Sequence, residues 1–64
     1  MENLTTRQLQ ILELTANGFL IKHICEELGI ARTTINIHLA SARKKLGAKN
    51  TTHAVVIAIK RGLI

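Results

Sequence analysis

Apolar residues recur along this chain at intervals of three and four, the period of a helix that buries one stripe and wets the other. The segment "IKHICEELG" carries the pattern most plainly: Ile21, Ile24, Cys25 and Leu28 stand at i, i+3, i+4 and i+7. Ile35, Leu39, Ala42 and Leu46 repeat the stripe further on, with His38 beside it. Upstream lie Leu9, Ile11, Leu12 and Leu14, and downstream lies the run "AVVIAI". Four helices are therefore predicted, over about residues 6–16, 21–28, 32–46 and 51–61.

Local chemistry fixes where these helices begin and end. Thr5 and Gln8 have the spacing of a capping box, in which hydroxyl and amide satisfy otherwise orphaned backbone donors. Gly18 follows as a left-handed stop, Gly29 closes the second helix, and Asn50 and Gly62 bracket the fourth. Only Gly29, Ile30 and Ala31 separate the second helix from the third, and a glycine-led turn of that length is the sequence form of a helix-turn-helix. The small Cys25, four residues before Gly29, suits two helices that cross steeply. With no proline, repeat, low-complexity stretch or linker, residues 1–64 read as one all-α, four-helix domain. Its size lies near the lower limit for a core that holds a chain without disulfides or metal.

The last helix is apolar on every side, although a short helix in so small a domain cannot be buried all round. Ala54, Val55 and Ala58 are expected to face the core with Leu63. His53, Val56, Ile59 and Lys60 are then left for a second protomer, so a homodimer through this helix is expected. The alternative is a monomer whose Leu63–Ile64 tail covers the same face.

Charge changes the picture from fold to partner. The net charge is +5, but all four acids, Glu2, Glu13, Glu26 and Glu27, lie in the first 27 residues, with Arg7 and Lys22 as the only bases there. From Leu28 to Ile64 there is no acid and seven bases: Arg32, Arg43, Lys44, Lys45, Lys49, Lys60 and Arg61. Such lopsidedness suits a chain that faces a polyanion, although a solvated basic surface would have the same composition.

If Ile35, Leu39, Ala42 and Leu46 face inward, the opposite side of the third helix presents Thr33, Asn36, Ile37, Ala40 and Lys44. A solvated helix normally pairs glutamates with lysines. This one offers short donors and acceptors, an apolar Ile37, and bases only toward its C-terminal end, which suits a helix whose first turns enter the major groove. Asn36 can hydrogen-bond the N6/N7 edge of adenine, Ile37 and Ala40 can touch a thymine methyl, and Arg32 or Thr33 can reach a neighbouring base or phosphate. Arg43, Lys44, Lys45 and Lys49 would lie along phosphates, which adds affinity without reading sequence. Double-stranded DNA is the expected partner.

Other chemistry finds no footing. His23 and Cys25 are two apart on a helix, His38 and His53 sit on other helices, and no metal-ligand spacing occurs, so neither metal nor cofactor is expected. No nucleophile with a matched base, paired carboxylates or phosphate-cradling glycine loop can be picked out, and the chain does not read as an enzyme. Cys25 is the sole cysteine, no apolar run reaches the roughly 18 residues of a membrane span, and no leader opens the chain. A reducing cytoplasm is the expected compartment, with the nucleoid as the place of work.

Taken together, "LTTRQLQIL", "NG", "IKHICEELGI", "TTINIHLASARKKLG" and "HAVVIAIKRGLI" resemble the LuxR-type (GerE-like) helix-turn-helix domain of bacterial transcription regulators, over nearly the whole chain. The resemblance implies a four-helix domain whose third helix reads the major groove and whose fourth forms much of a two-fold dimer contact, giving a pseudo-palindromic site. It places Thr33, Asn36, Ile37 and Ala40 where bases are contacted, and Thr34, His38, Lys45 and Lys49 where the DNA backbone is held. This chain departs from the family pattern in having Gln8 and Gln10 for glutamates in the first helix. Leu20 and Ala31 stand where serine caps are usual, each loss costing about 0.5–2 kcal/mol, and Asn36 and Ala40 stand where bases are frequent. Two other functions fit less of the chain. One is an interaction module that pairs with a larger LuxR-type regulator; the other is a promoter-reading module like a sigma-factor region, for which the last helix has no necessary role. RNA polymerase is a further partner implied for a regulator of this type.

Overall fold

The computed structural model describes residues 3–64 and consists of four α-helices: α1 Thr6–Ala16, α2 Ile21–Leu28, α3 Arg32–Leu46 and α4 Thr51–Lys60. No strand occurs among the described residues. α1 and α3 each pack against the other three helices, whereas α2 and α4 do not meet. α2 and α4 therefore flank a central α1–α3 pair, and α3 is held from several sides with one face left outward.

Nine buried apolar residues make the core: Ile11 and Leu12 from α1, Ile24 from α2, Ile35, Leu39, Ala42 and Leu46 from α3, and Ala54 and Ala58 from α4. α3 supplies the largest share, which follows from its length and from a stripe that repeats over four turns. Small residues do the packing on α4, so its backbone comes close to its neighbours. Phe19, Ile21, Cys25, Leu28 and Ile30 close the core at its α2 end, while Val55, Ile57 and Ile64 do so at its α4 end.

At the start of α1 the capping box is complete. Gln8 N–H donates to Thr5 Oγ1 and Thr5 N–H donates to Gln8 Oε1, both at 3.0 Å. Leu20 and Ala31 lie at the corresponding positions of α2 and α3 and cap nothing with their side chains. α2 retains half of the device, because Leu20 N–H donates to His23 Nδ1 at 3.1 Å. Asn50 caps α4 by accepting from His53 N–H at 2.8 Å.

The α2–α3 turn depends on Gly29, whose φ of +65° is a conformation that side chains with a Cβ disfavour. It lets Ile30 N–H donate back to Cys25 O at 3.2 Å, so α2 ends in a satisfied turn and α3 starts two residues later.

The C-terminal end departs from expectation in two respects. α4 stops at Lys60 with Arg61 as its cap. Leu63, expected in the core, is exposed, and Ile57 and Ile64 pack there instead. The cause is the helix closure: Leu63 N–H donates to Ala58 O at 2.8 Å across Gly62 at φ +70°, which reverses the chain and turns Leu63 outward.

Candidate nucleic-acid interface

α3 carries three kinds of side chain along its length. Its buried stripe is Ile35, Leu39, Ala42 and Leu46. On the far side Arg32, Thr33, Asn36, Ile37, Ala40 and Lys44 are all exposed, and Thr33, Asn36, Ile37, Ala40 and Lys44 span an arc of about 100° at 100° per residue. Ile37 is 68% exposed, the most exposed large apolar residue among the described residues. The domain uses none of this face for its own packing, and no acid is present on α3. The arrangement offers a guanidinium at the first position, a hydroxyl, an amide and methyls in the next turns and an ammonium in the last, a combination that can meet base edges and phosphates.

The two edges of α3 hold half-buried polar residues, of which Ser41, Arg43 and Lys45 are hydrogen-bonded within the domain. On one edge, Thr34, His38, Ser41 and Lys45 are half-buried and run along α1. Gln8 of α1 is buried against them, donating through Nε2 to Ser41 Oγ at 3.0 Å. Lys45 Nζ donates to Gln8 Oε1 and to Asn3 O, each at 3.0 Å. Lys45, expected along phosphates, is thus turned toward α1. Its long stem crosses apolar surface and its ammonium finds the nearest fixed oxygens.

On the opposite edge, Arg43 Nη1 donates to Thr51 Oγ1 at 3.0 Å, which ties the end of α3 to the first turn of α4. A guanidinium has five N–H donors, so this bond leaves others for a phosphate. Lys44 and Lys49 are exposed.

At α4, Val56 and Ile59 are 41% and 54% exposed, and Leu63, beyond the helix end, is 38% exposed. Val56 and Ile59 stand at i and i+3 and so share one apolar side of α4. Lys60 is exposed beside it. His53 is half-buried, and its Nδ1 accepts from Lys49 N–H at 3.0 Å, so the ring closes the α3–α4 loop.

Gln8 was the functional neighbour that patterning missed. The signal was present, because Gln8 precedes Ile11 and Leu12 by three and four residues and so lies on the buried stripe of α1. Its role in the capping box concealed its second role beside α3.

Among the described residues no group of three or more histidine, cysteine or acidic side chains could hold a metal ion. No described helix is long and apolar enough to cross a membrane.

Comparison with known proteins agrees with this geometry. The profile of "Bacterial regulatory proteins, luxR family" (GerE) matches residues 2–58. The chain is 43% identical over 56 residues to the transcriptional activator protein RaiR of Rhizobium etli, covering 88% of this chain and 23% of RaiR. It is 41% identical over 61 residues to the transcriptional activator protein BjaR1 of Bradyrhizobium diazoefficiens, covering 95% of this chain and 25% of that protein. The crystal structure of the response regulator ChrA, of a heme-sensing two-component system, superimposes with a TM-score of 0.93 at 30% identity. That match covers all of this chain and 32% of ChrA. The chain thus spans about a quarter of the length of the curated relatives it matches. With the four-helix architecture, the glycine-led α2–α3 turn and the profile match over nearly its whole length, this chain belongs to the luxR family of bacterial regulatory proteins and has its GerE-type helix-turn-helix fold.

Proposed function

We propose that the chain is a sequence-specific, double-stranded-DNA-binding transcription regulator that acts as a homodimer, with α3 in the major groove. The observation that carries this is the outward face of α3, which is exposed, free of acids and unused by the domain's own packing. RaiR and BjaR1, named as transcriptional activators, support the regulatory role.

In this arrangement Asn36 reads adenine, Ile37 and Ala40 contact thymine methyls, and Arg32 and Thr33 reach the flanking base or phosphate. Arg43, Lys44 and Lys49 lie along the backbone, with Thr34 and His38 at the groove edge. Two copies meet through Val56 and Ile59, with His53 and Lys60 at the rim. Their reading helices then fall on two half-sites of a pseudo-palindrome.

Selection of bound fragments from random duplex DNA tests groove reading and symmetry together. The expected result is a palindromic consensus containing adenines or thymines within each half-site; enrichment of no sequence would refute specific reading. Asn36→Ala should weaken the selected site by about 1–3 kcal/mol and leave random DNA nearly unaffected. Equal losses on both would remove Asn36 as a base reader. A consensus with a single unrepeated half-site would favour pairing with a larger family member over homodimerisation.

A further inference from the structure

The ammonium of Lys45 lies at the edge of the reading helix and its two partners, Asn3 O and Gln8 Oε1, are both neutral. No carboxylate among the described residues pairs with it. Gln8 is 5% exposed, and both ends of its amide are engaged: Oε1 accepts from Thr5 N–H and Lys45 Nζ, and Nε2 donates one of its two hydrogens to Ser41 Oγ. The side chain that Lys45 rests on is therefore fixed in place and uncharged.

Resting on the DNA-binding reading above, we propose that Gln8 is a positioning residue that sets DNA affinity: it parks the Lys45 ammonium on neutral partners, with no carboxylate of the described residues paired to it, and the ammonium exchanges Gln8 and Asn3 for a phosphate when DNA binds. Two features make the exchange easy. Departure of Lys45 orphans no buried atom, because Gln8 Oε1 retains Thr5 N–H and Asn3 O belongs to an exposed residue that water can reach. The incoming phosphate carries a full negative charge, which neither present partner has, and a charge-assisted bond is the stronger one. Ser41 and Lys45 are one turn apart on α3, so Gln8 holds that edge through two contacts and keeps one of them when Lys45 leaves.

A carboxylate at this position would reverse the effect. Gln8→Glu keeps the shape and the acceptor for Thr5, and the Ser41 hydroxyl can turn to donate. Lys45 would then be held in an ion pair and withdrawn from DNA. One lost phosphate contact flattens the slope of log K against log salt concentration by about 0.9, and at 0.1 M salt this is a loss of about eightfold in affinity. The effect is independent of sequence, so a fluorescein-labelled duplex of mixed sequence is a sufficient probe, titrated by anisotropy between about 50 and 200 mM salt.

For Gln8→Glu the expected result is an unchanged or raised melting temperature together with the eightfold loss and the flatter slope. A merely structural role would make affinity follow stability, so opposite movements of the two separate the cases. Lys45→Gln is the second variant, at a half-exposed position that does not endanger the fold. It should lose affinity and slope by the same amounts. Full affinity with the parental slope in Lys45→Gln overturns the proposal, as does an unchanged slope in a folded Gln8→Glu chain. If the parent chain binds no duplex at all, the DNA-binding reading fails and this proposal falls with it.

Discussion

Ala31 offers a direct test of how α3 is held. Its φ of −67° and ψ of 152° are already those of an N-cap residue, yet its methyl accepts nothing from the first turn of α3. Thr5 shows what the same geometry achieves with a hydroxyl: at φ −73° and ψ 160° its Oγ1 accepts from the N–H three residues on, at 3.0 Å. Ala31 is exposed, so the hydroxyl introduced by Ala31→Ser has room and displaces no core atom. It should accept from Thr34 N–H without moving the backbone. Restoring such a cap contributes about 1 kcal/mol, within a range of about 0.5–2. For a domain of this size, 1 kcal/mol is a rise of about 4–8 °C in melting temperature. Far-UV circular dichroism at fixed chain concentration measures it, since self-association would make the melt concentration-dependent. In urea the midpoint should rise at constant m-value, which would assign the gain to the native state. An unchanged or lowered melting temperature in a still two-state transition would refute the reasoning, because no other change in burial or charge accompanies the substitution.

Three further outcomes follow from the core, the turn and the exposed side of α4. Leu39→Ala removes a side chain that is 4% exposed at the centre of α3, at a cost of about 2–5 kcal/mol. Against a total near 3–10 kcal/mol at about 0.05–0.15 kcal/mol per residue, this should leave a measurable unfolded fraction in water, read from the urea baseline. At Gly29 an added Cβ would meet nothing within 4 Å, but φ is +65°. Gly29→Ala should therefore cost only the left-handed backbone penalty of about 1–2 kcal/mol, seen as a lower urea midpoint, and a larger loss would mean that the turn also rearranges. Ile59→Glu places a charge on the exposed apolar side of α4 and should leave the monomer fold intact while abolishing self-association in sedimentation velocity. Parent and variant sedimenting alike at every concentration would count against the α4 dimer.

The architecture was legible because its determinants are local. A stripe of period 3.6 and a glycine at each helix end are visible without knowing which helix touches which, and the α2–α3 turn follows from only three residues. The two faces of α3 were legible for the same reason: the Ile35, Leu39, Ala42 and Leu46 stripe leaves Thr33, Asn36, Ile37 and Ala40 in a separate arc whatever the neighbours are. Leu63 escaped this logic, since beyond Gly62 the helical period no longer applies and the hydrogen bond to Ala58 O decides where the side chain points. Arg43, Lys45 and His53 escaped it too. Their partners are Thr51, Gln8 with Asn3, and Lys49 N–H, and a polar residue finds such partners through space rather than by spacing.

That difference bears on how a small domain can present the outward face of one helix firmly. The outward face of α3 must remain unencumbered, so everything that fixes the helix about its own axis has to act from the core or from the edges. The core stripe resists displacement, but apolar contacts are non-directional and constrain rotation weakly. Hydrogen bonds are directional, and the domain places them on both edges: Gln8 to Ser41 and Lys45 on the α1 side, Arg43 to Thr51 on the α4 side. A rotation of α3 that swung Asn36 out of register would have to lengthen one set or the other. The residues that determine which side chains meet a partner are thus at the margins of the face, where they are half-buried, polar and bonded within the domain.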